Sequence, residues 1–158
     1  MSARRAHSQR QVNVHITDCS SLLSALMRFS MAIDLSPKEL SSMLALEQNC
    51  SKQISVVNDV YSWEKELKAS QTGHKEGSAL CSAVKVVASE TSLSITASKR
   101  VLWSMIREWE LVHDELVEQK LASEDGCSQA AIDYMKGLEY QMSGNEEWSR
   151  TTLRYSDI

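Results

Sequence analysis

The clearest helix start in the sequence opens the stretch SPKELSSMLALEQNCSKQISVVNDVYSWEKELK, residues 36–68. Ser36 is a suitable N-cap, Pro37 suits the first helical position, and Glu39 stands three residues after Ser36, as a capping box requires. Neither glycine nor proline occurs after Pro37 in this stretch. Because these two residues are the usual helix breakers, we expect one helix from Pro37 to about Lys68.

Shorter helical patterns lie on both sides of this stretch. They predict helices over residues 20–29, 78–89, 92–121 and 128–142, with a loop over 71–77 and with Gly144 ending the last helix. The whole chain of 158 residues has one proline and five glycines, too few for the many turns of a sheet-rich fold. The sequence therefore predicts an all-α bundle of about five helices, or a part of one.

The beginning of the chain differs from the rest. Residues 1–17, MSARRAHSQRQVNVHIT, show no helical period, and we expect them to form an irregular leader. Residues 18–158 are enough for a single helical domain with its own core. Apolar residues make up 42% of the chain, which is an ordinary value for a globular protein.

Charge and composition argue against several classes of protein. The net charge is −4, and the basic group Arg4, Arg5 and Arg10 is short, so a nucleic-acid partner is not expected. No apolar run approaches the 18 residues of a membrane span, and the first residues lack the apolar core of a secretory signal. The four cysteines form no close pair, which is typical of thiols in a reducing compartment. We therefore expect a cytoplasmic protein.

The segment NDVYSWEKE, residues 58–66, carries the candidate chemistry. Asn58, Ser62 and Glu66 are spaced by four residues, so on a helix they spread over only roughly 80° of its surface. An amide oxygen, a hydroxyl and a carboxylate would then follow one another along a single stripe. These are hard oxygen ligands of the type that magnesium takes. An ordinary half-buried helix shows the same spacing, so the pattern leaves both interpretations open.

The residue types of the nine-residue segment, beyond their spacing, show a resemblance to a known family. NDVYSWEKE resembles the metal-binding motif N-D/L-x-x-S/T-x-x-x-D/E of class I terpene synthases, and is especially similar to the motif of fungal sesquiterpene synthases of the aristolochene synthase type. The resemblance implies that Asn58, Ser62 and Glu66 are Mg²⁺ ligands and that Lys65 contacts a diphosphate. It extends from about residue 20 to the end of the chain and implies the class I terpenoid synthase helical fold.

A second motif near the C-terminus supports this resemblance. The chain ends WSRTTLRYSDI, and an Arg-Tyr pair near the C-terminus is characteristic of these synthases. The resemblance implies that Arg154 and Tyr155 bind the diphosphate group. The implied reaction is the magnesium-dependent ionisation of a prenyl diphosphate, with farnesyl diphosphate as the expected substrate, followed by cyclisation and release of diphosphate. No residue is assigned a proton-transfer role.

Two features of the family pattern are absent from this sequence. No aspartate-rich DDxx(D/E) motif precedes Asn58, and no arginine stands at the expected distance upstream, where the sequence reads VNVHITDCSS. The acidic segment HDELVE, residues 113–118, follows the metal motif, and we interpret it as a solvated helix face. We therefore expect residues 18–158 to be the C-terminal half of a terpene synthase α-domain, from a truncated product.

This expectation leaves a non-enzymatic alternative open. A chain without the aspartate-rich motif would also suit a catalytically inactive helical remnant or an interaction module. Removing half of a helical domain exposes apolar helix faces, which would favour self-association. A prenyl chain-lengthening synthase shares the fold, but it uses two aspartate-rich motifs and is disfavoured.

Overall fold

In a computed structural model of the chain, the structure describes residues 22–72, 82–123 and 126–155. These residues are almost entirely helical, and no strand occurs among them, which confirms the all-α prediction. The predicted leader, residues 1–17, lies outside the described residues, as do most of the predicted loop at 71–77 and the beginning of the helix predicted at 78.

Six α-helices and one short 3₁₀ helix follow one another along the described chain. They are α1 (residues 22–30), α2 (Pro37–Ser42), α3 (Leu44–Gln71), α4 (Ala83–Thr91), α5 (Ile95–Leu121), α6 (Gln129–Thr151) and the 3₁₀ helix Leu153–Tyr155. The sequence predicts about five helices, and the additional one arises because the long helix predicted from Pro37 is divided in two.

The division lies at Met43. The predicted capping box is present, with the Ser36 N–H donating to Glu39 Oε2 over 2.9 Å and the Glu39 N–H donating to Ser36 Oγ over 3.3 Å. The Ser42 hydroxyl donates to the Glu39 carbonyl over 2.6 Å, and the Met43 N–H donates to Leu40 O, not to Glu39 O. The Met43 N–H thus makes a tighter i→i−3 bond in place of the α-helical one, and α2 ends at Ser42.

Two further predicted helix ends are wrong. Ser92 adopts φ 58° and ψ 24°, the left-handed conformation that often ends a helix, so it terminates α4 and does not begin α5. Gly144 lies inside α6, which continues for seven more residues to Thr151. Beyond Gly144, Asn145 donates to the Ile54 carbonyl over 3.3 Å, and Glu146 pairs with Arg107 at 2.6 Å. These contacts outweigh the cost of one helical glycine, about 1 kcal/mol.

The chain divides into two compact units. The first takes its described residues from Met1–Lys52 and Leu111–Gln141, and the second from Gln53–Glu110 and Met142–Ile158. In the first unit the best-buried side chains come from α2–α3, α5 and α6. They are Met43, Leu46, Cys50, His113, Tyr134, Met135 and Leu138. The Tyr134 hydroxyl also donates to Glu47, which ties α6 to α3 within this unit.

The second unit contains the segment with the candidate chemistry. Its core cluster is formed by Val60, Trp63, Val84 and Leu102, which belong to α3, α4 and α5. Val57 and Ile106 are also completely buried in this unit. On α5, Leu102 and Ile106 are buried, whereas the neighbouring Val101 and Met105 are 40% and 41% exposed. The core thus holds one side of α3 and fixes where its polar residues point.

Two of the four cysteines lie among the described residues. Cys50 is buried, Cys127 is half-buried, and both are free thiols. Burial raises the pKa of the Cys50 thiol to about 12, so it is an inert neutral group. Cys19 and Cys81 lie outside the described residues. None of the helices in the described ranges combines the length and the hydrophobicity needed to cross a membrane.

Candidate metal and diphosphate site

Helix α3 presents the three predicted metal ligands on one side. Asn58 and Glu66 are half-buried, and Ser62 is only 4% exposed. Val57, Val60 and Trp63 anchor the adjoining surface of α3 in the protein interior. The stripe is therefore partly withdrawn from solvent. A purely solvated polar face would leave its side chains exposed, and Ser62 in particular is not.

Ser62 and Glu66 are in direct contact. The Ser62 hydroxyl donates to Glu66 Oε1 over 2.6 Å, across one turn of α3. Since the hydroxyl is the donor, the lone pairs of Ser62 Oγ remain available, as does the second carboxylate oxygen of Glu66. Two candidate ligand oxygens therefore lie side by side on a single turn of α3.

Asn58 contacts the C-terminal motif. Its Nδ2 donates to the hydroxyl oxygen of Tyr155 over 3.0 Å, although the two residues are 97 positions apart in the chain. The structure thus brings one predicted metal ligand together with one predicted diphosphate contact. The sequence offers no spacing rule for such a distant pair, and only the resemblance suggested that both residues belong to one site.

The ring of Tyr155 is held by its neighbours. Trp148 packs edge-on against it, with ring centroids 5.9 Å apart and planes at 79°. The guanidinium carbon of Arg154 lies 5.9 Å from the centre of the same ring, within the range of a weak cation–π contact. The position of the ring is therefore set by packing as well as by the hydrogen bond of its hydroxyl.

The two predicted cationic contacts, Lys65 and Arg154, are both exposed. Lys65 lies on α3 next to Glu66, and Arg154 lies in the 3₁₀ helix next to Tyr155. Each cation therefore adjoins one of the two hydrogen-bonded pairs described above. Exposed side chains of this length are free to turn toward an anion that binds between them.

Asp59, the second residue of the motif, has a different role from its neighbours. Its Oδ2 accepts the backbone N–H of Ala83 over 2.6 Å, at the first residue of α4. Burial raises the pKa of this carboxyl to about 6, against the opposing effect of the Ala83 hydrogen bond and with a further contribution from the charge of Glu66. Asp59 therefore ties α3 to α4 through this hydrogen bond. Nothing in the motif points to residue 83, so this contact could not be predicted from the sequence.

A cleft of about 460 Å³ lies on another side of α3 in the same unit. Its lining residues are Val60, Tyr61, Glu64, Lys99, Trp103, Ser149, Arg150, Thr152 and Tyr155. Tyr155 borders this cleft, whereas Asn58, Ser62 and Glu66 do not line it. The Lys99 ammonium pairs with Glu64 at 2.6 Å, so the charges at the mouth of the cleft are largely matched. Within the described part of the chain, Tyr155 both lines this cleft and contacts Asn58.

The acidic segment after the metal motif is on the surface. Asp114, Glu115 and Glu118 are exposed on α5, which confirms that these three acidic residues lie on a solvated helix face. Among residues 22–72, 82–123 and 126–155, no group of three histidine, cysteine or acidic side chains is placed to hold a metal ion.

Comparison with protein families gives one match over most of the chain. Residues 12–111 match the model of terpene synthase family 2, C-terminal metal binding. The matched range includes the whole segment from Asn58 to Glu66 and most of α5.

Individual proteins show the same similarity at higher identity. The aristolochene synthase of Penicillium roqueforti is 70% identical over 135 residues, which are 85% of this chain and 40% of the relative. The aristolochene synthase of Aspergillus terreus is 55% identical over 137 residues, covering 87% of this chain and 42% of the relative. The crystal structure of the P. roqueforti enzyme matches with a TM-score of 0.75 and 65% identity, over 84% of this chain and 42% of that one. This chain thus spans about 40% of the length of the relatives that it matches.

Proposed function

The chain belongs to terpene synthase family 2, and on that premise we propose that it supplies the second metal-binding helix and the C-terminal diphosphate contacts of a sesquiterpene synthase. The proposed substrate is farnesyl diphosphate, and the proposed reaction is its magnesium-dependent ionisation and cyclisation. The observation that carries the proposal is the pair of hydrogen bonds from Asn58 to Tyr155 and from Ser62 to Glu66, which join the predicted site residues.

The donor set fits magnesium, the ion that this family uses. Adjacent oxygen ligands of an octahedral magnesium ion, each about 2.1 Å from it, are about 3 Å from one another. Ser62 Oγ and Glu66 Oε1 are 2.6 Å apart, close to that spacing without any ion between them. Asn58 would add its amide oxygen. Bound magnesium would supply a positive charge that stabilises the departing diphosphate.

The remaining residues would act on the diphosphate group. Ionisation breaks the bond between the allylic carbon and the diphosphate oxygen, and the electron pair stays with that oxygen. Lys65 and Arg154 would stabilise the charge that develops there, and Tyr155 would donate its hydroxyl hydrogen to the same group. None of these residues needs to transfer a proton for this step. Their exposure allows them to close over an anion from two sides.

The formal charge of the three proposed metal ligands suggests that magnesium and diphosphate depend on each other for binding. Glu66 is the one formally charged group among the three proposed metal ligands, so the site by itself neutralises only half of a divalent ion. A diphosphate would supply the missing anionic oxygens. We therefore propose that magnesium and diphosphate bind together, each poorly without the other.

A second candidate function is an interaction module, favoured by the apolar side chains that α1 exposes. Leu22, Leu26 and Phe29 are 61%, 54% and 87% exposed. A contiguous apolar surface of this kind is typical of a contact with another chain. Sedimentation of the chain over a range of concentrations tests this candidate. Self-association that is abolished by Phe29→Glu would support it, and a monomer at all concentrations would refute self-association.

The enzymatic proposal is tested by activity in two settings. The chain alone is incubated with farnesyl diphosphate and Mg²⁺, and volatile products are analysed. In parallel, the aligned segment of the P. roqueforti synthase is replaced by this chain, which tests whether its residues suffice when the rest of a synthase is present. We expect the hybrid to form a sesquiterpene and to lose at least 100-fold in rate with Asn58→Ala, while the exposed Lys68→Ala remains active.

A hybrid that folds but forms no sesquiterpene would refute the enzymatic proposal and favour the inactive remnant. Folding is checked by the helical circular dichroism signal and by a single unfolding transition. Product from the chain alone would show in addition that the activity does not require the part of a synthase that this chain does not match.

A further inference from the structure

Tyr155 has a contact that its proposed role at the diphosphate does not require. Its hydroxyl oxygen accepts a hydrogen bond from Asn58 Nδ2 over 3.0 Å. The amide nitrogen can only donate, so the Tyr155 oxygen is the acceptor, and its own hydrogen remains free for another partner. One hydroxyl can therefore serve a metal ligand and an anion at the same time.

The orientation of Asn58 matters because its two arms are not equivalent. The carboxamide offers one oxygen and one NH₂ group, and only the oxygen can bind a hard cation. A half-turn about the last side-chain torsion exchanges the two, and this torsion has no strong intrinsic preference for either arrangement. An outside contact must therefore select the arrangement that ligates.

We infer that Tyr155 is a positioning residue that orients Asn58 for metal binding, and that it does so most strongly when diphosphate is bound. This inference rests on the proposed function of the site. While the Tyr155 hydrogen is free, the hydroxyl could either accept from the nitrogen or donate to the oxygen of Asn58. Once that hydrogen is donated to a diphosphate oxygen, the hydroxyl can only accept. The nitrogen of Asn58 must then face Tyr155, and its oxygen turns away to the metal.

The packing around Tyr155 allows the role of its hydroxyl to be tested separately from that of its ring. Trp148 holds the ring edge-on at 5.9 Å, and this contact does not involve the hydroxyl. A Tyr155→Phe substitution should therefore remove the hydrogen bond and leave the ring in place. The exposed Tyr140, which lies in the other compact unit, provides a matched control as Tyr140→Phe.

A double-variant experiment distinguishes orientation from a simple loss of a contact. In Asn58→Asp, both arms of the side chain are oxygens, so no orientation needs to be selected. Binding of Mn²⁺, used in place of Mg²⁺, is measured by electron paramagnetic resonance in the presence of inorganic diphosphate. The four proteins are the unaltered chain, Tyr155→Phe, Asn58→Asp and the combination of the two, with Tyr140→Phe as the control.

We expect the effect of Tyr155→Phe on Mn²⁺ binding to differ between the Asn58 protein and Asn58→Asp. Groups that orient metal ligands are typically worth about 10- to 100-fold in metal affinity. We therefore expect Tyr155→Phe to weaken Mn²⁺ binding by at least about tenfold more in the Asn58 protein than in Asn58→Asp. Equal factors in the two backgrounds would overturn the inference while leaving the proposed site intact. If the unaltered chain with diphosphate holds no Mn²⁺, the proposed function fails, and the inference fails with it.

Discussion

At the scale of single residues, Asp59 has a structural contact, whereas the motif residues Asn58, Ser62 and Glu66 are the proposed metal ligands. It follows Asn58 directly, yet its carboxylate faces the start of α4 and accepts the Ala83 N–H over 2.6 Å. The amide that it satisfies is at the N-terminal end of a helix, where backbone N–H groups lack partners within the helix. Asp59 therefore fixes the position of α4 against the helix that carries the site.

Replacing Asp59 tests this tether. Asp59→Ala leaves the Ala83 N–H without its acceptor, and we expect it to lower the free energy of unfolding by about 1–3 kcal/mol. Asp59→Asn still offers a side-chain oxygen and should recover most of that loss. Urea unfolding of both variants measures the difference. Equal losses in the two variants would mean that the hydrogen bond contributes nothing to stability.

His113 gives the chain a predictable response to pH. It is 1% exposed on α5, and neither ring nitrogen has a hydrogen-bond partner of regular geometry in the described part of the chain. Burial lowers its pKa below the ordinary value of 6.5, although the charges of Asp114 and Glu139 and a weak polar contact with the Met135 backbone oppose the shift. The folded chain thus favours the neutral ring.

The direction of the pH effect follows from this pKa. Between the lowered pKa of the folded state and 6.5, the unfolded state binds more protons, so stability is complete above pH 6.5 and is lost as the pH falls below it. In His113→Leu, this loss should be absent. Urea midpoints at pH 7.5 and 5.5 measure it in both proteins. A midpoint that falls equally in both would show that His113 is not the source.

The site illustrates what single residues in a sequence can and cannot predict. The spacing of four residues predicted that Asn58, Ser62 and Glu66 lie on one side of a helix, as the structure has them. Their role as ligands came from the resemblance and stays a prediction. The contacts of Asn58 with Tyr155 and of Asp59 with Ala83 were not predictable, because they depend on how distant segments pack, and spacing carries no information about that.

At the scale of the helices, the glycines of α6 show where local preference fails. Gly144 is exposed inside the helix, and a Cβ at this position would meet nothing within 4 Å. At Gly137, a Cβ would come within 2.3 Å of the sulfur of Met27, so the small residue allows close packing. The same residue type thus has a packing role at one position and none at the other.

A pair of alanine substitutions tests this contrast. Gly144→Ala should raise the free energy of unfolding by about 0.4–1 kcal/mol, because it restricts the unfolded chain and fits the helix. Gly137→Ala should lose that gain, since Met27 must move to make room. Thermal and urea unfolding measure both. Stabilisation of equal size at the two positions would contradict the packing found at Gly137.

The helices themselves were largely predictable, and their ends were less so. The capping box at Ser36 correctly predicted the start of α2. The absence of glycine and proline after Pro37 predicted the long helix α3. The break at Met43 was missed because it is a local change of backbone hydrogen bonding, from Met43 to Leu40, which periodicity does not reveal. The predicted end at Gly144 was wrong because contacts beyond it hold the helix together.

At the scale of the whole molecule, the chain covers about 40% of the length of the synthases that it resembles. Its proposed site has one formally charged ligand, Glu66, beside the neutral Asn58 and Ser62. Because this charge is too small to hold a divalent cation tightly, we expect metal and diphosphate to bind as a pair. The family and the all-α fold could be identified from the sequence, whereas the ligand roles of the site residues stay predictions.

Calorimetric titration of the full chain with inorganic diphosphate, with and without Mg²⁺, tests the proposed site most directly. We expect binding that requires both components, that weakens at least tenfold in Asn58→Ala and in Glu66→Gln, and that is unchanged in the exposed control Lys68→Ala. Diphosphate binding of equal strength without Mg²⁺, or in Asn58→Ala and Glu66→Gln, would contradict it.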